Sequence, residues 1–118
     1  MAEHNKLGEE GERLAVIYLK KKGYQILHTN WRFGKYELDI IAKQGELLHF
    51  VEVKYRSSKT FGFPEESVSK KKFQNLANAA TEYLYHHPEY RDIRFDILSI
   101  NHVNNQDVEY FMIEDVYM

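Results

Sequence analysis

Residues 37–54, ELDIIAKQGELLHFVEVK, decide the reading of this chain. The runs Glu37–Ala42 and Leu47–Val53 are short, apolar and rich in β-branched residues. Lys43-Gln44-Gly45-Glu46 lies between them and holds a glycine, so the segment is expected to be a β-hairpin. Acids and a lysine interrupt the apolar runs at Glu37, Asp39, Glu52 and Lys54. Charges inside a sheet are costly unless they are paired or hold a metal. A turn centred on Gln44-Gly45 sets Asp39 opposite Phe50 and Glu37 opposite Glu52. That register puts all four charged side chains on one face, with Asp39 and Glu52 as diagonal neighbours.

The flanking sequence supplies the rest of a mixed α/β domain. A helical stripe of Leu7, Leu14, Ile17 and Tyr18 runs from about Lys6 to Lys22, and Gly23 suits the C-cap. Tyr24–Asn30 reads as a strand and Arg56–Pro64 as a loop. A second amphipathic helix is expected from about Ser67 to His87, carrying Phe73, Leu76, Ala77, Ala80, Tyr83 and Leu84 on one stripe and stopped by Pro88. Arg94–Ile100 and Val108–Ile113 are two further strands, joined through Asn101–Asp107. Helix, three strands, helix, two strands predicts one domain with a five-stranded mixed sheet flanked by helices. The second helix serves as the crossover that lets the fourth strand run parallel to an earlier one.

Composition narrows the function. The 118 residues contain 43% hydrophobic side chains, enough for one core, and no cysteine, which excludes disulfides, thiolate metal sites and cysteine nucleophiles. No apolar run reaches the roughly 18–20 residues that span a bilayer, and the polar N-terminus is unlike a signal peptide. A cytoplasmic location is expected, and no membrane partner. The net charge is −2, yet lysines cluster at 20–22, 54–59 and 70–72. The first cluster suits a helix C-terminus. The lysines at 70–72 open a helix, where cations are disfavoured unless an anion binds. Of them, Lys72 and then Lys70 are candidate phosphate contacts, with Arg56 in the preceding loop. Trp31, Arg32 and Phe33 could stack on unpaired bases, although such rings more often plug the end of a core, and Asn30 and Arg32 suit a brace for the hairpin. The six histidines form no metal pattern.

Two carboxylates with several waters are a usual Mg²⁺ site. Such an ion polarises a phosphate and lowers the pKa of water, while the Lys54 ammonium offsets charge in the transition state. Spacing alone leaves this level with a structural ion-pair network.

Asp39, twelve intervening residues and then Glu52-Val53-Lys54 resemble the active-site pattern of the PD-(D/E)XK nuclease superfamily. More specifically, the chain resembles the small bacterial family UPF0102, or YraN-like. The match is carried by Gly8, Gly11-Glu12, Ala15, Leu19, Gly23-Tyr24, Asn30, Arg32, Glu37–Ala42, Phe50–Lys54, Arg56, Phe61-Gly62, Val68, Lys72, Ala80, Tyr83-Leu84 and Arg94-Phe95-Asp96. The resemblance implies a restriction-endonuclease-like fold close to archaeal Holliday-junction resolvases. It implies Asp39 and Glu52 as Mg²⁺ or Mn²⁺ ligands, Lys54 as the catalytic lysine, and Glu12 as a further acid from the first helix, with Glu37 in support. Tyr36 stands where the family usually has glycine. The expected function is a metal-dependent endonuclease on DNA, branched or structured DNA included. The alternatives are a nucleic-acid-binding protein with weak or no cleavage and a purely structural ion-pair network. A homodimer would suit symmetric branched substrates.

Overall fold

The computed structural model describes residues 2–56, 70–102 and 107–114; side chains are described for all of these except residues 2–8, 56, 70, 72 and 102. The elements are α1 (Ala2–Lys21), β1 (Gln25–Phe33), β2 (Tyr36–Gln44), β3 (Leu47–Arg56), α2 (Lys70–His86), β4 (Asp92–His102) and β5 (Val108–Ile113). The strands form one sheet in the order β1-β2-β3-β4-β5. The β3–β4 pair is parallel and the other three pairs are antiparallel. Helix α2 connects the parallel pair, as the order of elements requires. The mixed five-stranded sheet with two helices is therefore as expected.

Boundaries differ from the expected ones where local capping outweighs the apolar pattern. Helix α1 begins at Ala2 and stops at Lys21, because Gly23 takes φ 93° and turns the chain. Gly23 N–H donates to Lys20 C=O at 3.1 Å, and Tyr24 N–H to Leu19 C=O at 3.0 Å, which satisfies the last carbonyls. Trp31, Arg32 and Phe33 continue β1 beyond the expected end at Asn30. The segment 67–69, expected to open the second helix, lies outside the described residues, as does the loop from 57 to 64.

Each face of the sheet carries one core. On one side α1 buries Ala15 and Leu19 against Ile40, Ala42, Val51, Leu98 and Ile100. On the other, α2 buries Leu76, Ala79, Ala80 and Tyr83 against Leu38, Ile41, Leu48 and Phe50. Strict alternation along β3 and β4 assigns Phe50, Glu52 and Lys54 to the α2 side, and His49, Val51 and Val53 to the α1 side. Gly11 lets α1 approach closely, since a Cβ there would stand 2.7 Å from Tyr55 Cβ.

Candidate metal centre

The hairpin register differs from the expected one by two residues. Gly45-Glu46, rather than Gln44-Gly45, forms the turn: Gln44 pairs with Leu47 and Gly45 takes φ 61°, which glycine adopts without strain. The ladder runs to Ile40↔Val51. Continued one step, it sets Asp39 directly opposite Glu52 instead of diagonal to it. A shift of two residues preserves the faces, so the two acids still share a side.

The strands part at this step. Leu38 and Asp39 are adjacent yet both line a recess under α2, so period-two alternation breaks there. The break lies beside Asn30 on β1, which takes φ 52° between the pairs Thr29↔Ile40 and Trp31↔Leu38. In place of a backbone partner, Val53 N–H donates to Asp39 Oδ2 at 2.9 Å. Phe50, Phe73, Leu76, Phe95 and Ile97 form the apolar wall of the recess, and Asp39 and Glu52 its polar side.

Among the described residues, two acids and one cation set the electrostatics of this pocket. Glu52 is 7% exposed. Lys54 Nζ stands 3.5 Å from Glu52 Oε2 and is itself largely buried. Burial pushes the Asp39 carboxyl up to about 7, and the neighbouring Glu52 carboxylate contributes to the rise. The Val53 amide opposes it, whereas a side-chain hydrogen bond with Glu52 and the charge of Glu37 add to it. The two acids thus share a hydrogen bond beside Lys54, an arrangement that a proton on Asp39 eases.

Glu37 does not share the face of the other charged residues as expected: with Leu38 and Asp39 both on the α2 side, alternation sets Glu37 on the opposite side of the sheet. Its Oε2 accepts from Arg32 Nε at 3.0 Å, an exposed ion pair across the β1–β2 hairpin. Arg32 therefore braces this hairpin, and Glu37 acts on Asp39 only through its charge. Glu12 is half-buried on α1, which packs on the opposite face from the recess. Among the described residues no three His, Cys, Asp or Glu side chains form a metal-binding group, so the structure joins Asp39 with Glu52 and leaves Glu12 outside the pair. The side chains of Arg56, Lys70 and Lys72 lie outside the described residues. Helix α2 does begin with a run of lysines and has no acid in its first turn, and Lys71 is exposed. Tyr36 packs into the α2 core, and its hydroxyl accepts from Asn78 Nδ2 at 3.3 Å, anchoring β2 to α2.

One buried pair escapes a reading of the sequence. His49 Nδ1 and Asp96 Oδ2 meet at 2.5 Å on the α1 side, both almost fully buried, with the Tyr24 ring edge-on to His49 at 4.9 Å. Each residue interrupts an apolar run, which marks both as buried polar groups. Their pairing depends on the parallel register His49↔Arg94 and Val51↔Asp96, which the crossover sets and local sequence does not reveal.

The donor set suits a hard divalent cation. Two buried carboxylates side by side, one of them kept protonated to near neutrality, offer oxygen ligands that a cation would bind in exchange for that proton. Residues 11–100 match the model of the family described as "Uncharacterised protein family UPF0102". The chain is 51% identical over 100 residues to a UPF0102 protein of Flavobacterium psychrophilum, covering 85% of this chain and 84% of the relative. It is 46% identical over 100 residues to one of Bacteroides thetaiotaomicron, covering 85% and 83%. With a relative from Clostridium perfringens the identity is 41% over 120 residues, covering 99% of this chain and 98% of the other.

Proposed function

The chain belongs to the UPF0102 family, and from its acid pair we propose that it is a divalent-metal-dependent endonuclease of the PD-(D/E)XK kind, hydrolysing phosphodiester bonds in DNA. The observation that carries this reading is the buried contact between Asp39 and Glu52 with Lys54 at 3.5 Å from Glu52.

Asp39 and Glu52 are the residues that would hold Mg²⁺ or Mn²⁺. Such an ion supplies Lewis acidity toward a phosphate oxygen and toward water. Val53 N–H fixes one Asp39 oxygen and leaves the other for a ligand or for Glu52. Lys54 is placed to donate to a non-bridging phosphate oxygen as negative charge grows on it, a contribution of about 3 kcal/mol where such donors have been removed. The apolar wall from Phe50, Phe73 and Phe95 keeps solvent from the inner side of the acids and strengthens these interactions. The sheet order, with a parallel central pair crossed by α2 and the acids on neighbouring antiparallel strands, supports a restriction-endonuclease-like core similar to archaeal Holliday-junction resolvases.

A cleavage screen tests the reading. Single-stranded, flapped, duplex and four-way DNA are incubated with Mg²⁺ or Mn²⁺, using wild type and Glu52→Ala. Metal-dependent nicking of at least one substrate, lost in the variant, is expected. Equal degradation by both proteins would refute it, and binding without cleavage would favour a nucleic-acid-binding role.

A further inference from the structure

Trp31 and Phe33 both lie on β1, yet the fold treats them differently. Trp31 packs edge-on against the buried Tyr83 at 5.4 Å and plugs the α2 core. Phe33 is 43% exposed at the end of the strand, 6.4 Å from Trp31 with the two ring planes only 13° apart. Beyond it stand His86, 6.4 Å away, and Tyr85, 5.4 Å from His86 and 79% exposed. Three aromatic rings therefore follow one another on the outer surface. Two of them are among the four large apolar side chains exposed among the described residues.

We propose that Phe33, His86 and Tyr85 form a stacking surface for unpaired nucleobases, so that the substrate carries a single-stranded segment beside the scissile phosphate. The inference rests on the nucleic-acid reading above and specifies its substrate class. Ring faces bind any base, because every base has a π-face. The turn of the same hairpin carries an exposed cation, Lys35. Phe33 pairs with Tyr36, which precedes Asp39 on β2 by three residues, or roughly 10 Å of strand. Stacked nucleotides advance about 3.4 Å each, so some three of them bridge the rings and the acid pair. A protein partner for these rings would not need the cation or this spacing from the acids.

Trp31 is the one tryptophan of the chain, and its ring reports on Phe33 directly. Binding is measured in EDTA by Trp31 emission, using oligothymidine, an abasic strand of equal length and a blunt duplex. Oligothymidine should change the emission and bind at least roughly ten-fold more tightly than the abasic strand. Phe33→Ala should remove most of that difference and leave duplex affinity within about two-fold of wild type. Tyr85→Ala, at a position too exposed to affect folding, should weaken oligothymidine in the same direction. Equal binding of base-bearing and abasic strands, or oligothymidine affinity unchanged in both variants, would overturn the proposal. If metal-dependent cleavage sensitive to Glu52→Ala persists in that case, the stacking surface alone falls. If no strand binds and none is cut, the nuclease reading falls with it.

Discussion

Replacing Asp39 with asparagine should make the metal-free protein more stable, and increasingly so as the pH rises. The Asp39 carboxyl is raised from 3.8 to about 7, chiefly by burial and then by Glu52. A rise of that size corresponds to about 4 kcal/mol, and partial exposure of the side chain reduces this to about 2–4 kcal/mol. The sign follows from proton counting. Below the unfolded value both states carry the proton and the site costs nothing. Between 3.8 and about 7 the folded chain keeps a proton that the unfolded chain has lost, so stability falls as pH rises. Above about 7 the full penalty remains. The introduced asparagine carries no charge, can still accept from Val53 N–H, and can donate to Glu52. Thermal melts in EDTA should give nearly equal midpoints for wild type and variant near pH 4. By about pH 8 Asp39→Asn should lead by roughly 10 °C. A constant gap across this range, or a variant less stable at pH 8, would show that Asp39 is ionised and compensated in the folded state. The shared-proton account would then be wrong.

Four further outcomes follow from the same geometry. Mn²⁺ should raise the melting temperature of wild type but not of Asp39→Asn, and its apparent affinity should fall about ten-fold per pH unit below 7 as the Asp39 proton competes; calorimetry in buffers of different ionisation enthalpy counts that proton. Lys54→Met should lower cleavage by about 10²-fold or more in single-turnover assays while the Mn²⁺ stabilisation persists, because the ammonium acts on charge rather than as a ligand. Gly11→Ala should destabilise, since a contact of 2.7 Å with Tyr55 Cβ imposes overpacking of about 1–3 kcal/mol against a helix gain of about 1 kcal/mol; urea denaturation reads the difference. His49→Phe should cost about 3–5 kcal/mol by removing the imidazole partner of the buried Asp96 carboxyl, and a second change, Asp96→Leu, should recover much of it; the double-mutant cycle is measured by chemical denaturation.

Helix and strand order, the mixed sheet and the face shared by Asp39 and Glu52 are legible in the sequence because period and turn chemistry carry them locally. The register is not, since Gly45 can occupy more than one position in a short turn and only the ladder to Ile40↔Val51 decides between them. Parity survives a slip of two residues, which is why the acids still meet. The break in alternation at Leu38-Asp39 is invisible: it lies opposite Asn30, whose φ of 52° on the neighbouring strand no local pattern announces. Glu37 and Arg32 both stand out as candidates, but the break at Leu38-Asp39 sets Glu37 on the other face of the sheet, where it pairs with Arg32. His49 and Asp96 escape because a parallel register is set by a distant crossover. Glu12 is suggested by resemblance, and packing of α1 on the far face leaves it apart from the acid pair.

On this reading Asp39 and Glu52 together hold one divalent ion. Crystals soaked in Mn²⁺ and measured for anomalous scattering address it directly. A single strong peak is expected within about 2 Å of oxygens from both Asp39 and Glu52, absent from Glu52→Ala crystals. Saturating Mn²⁺ with no peak there, and with the Asp39–Glu52 hydrogen bond still in place, would contradict it.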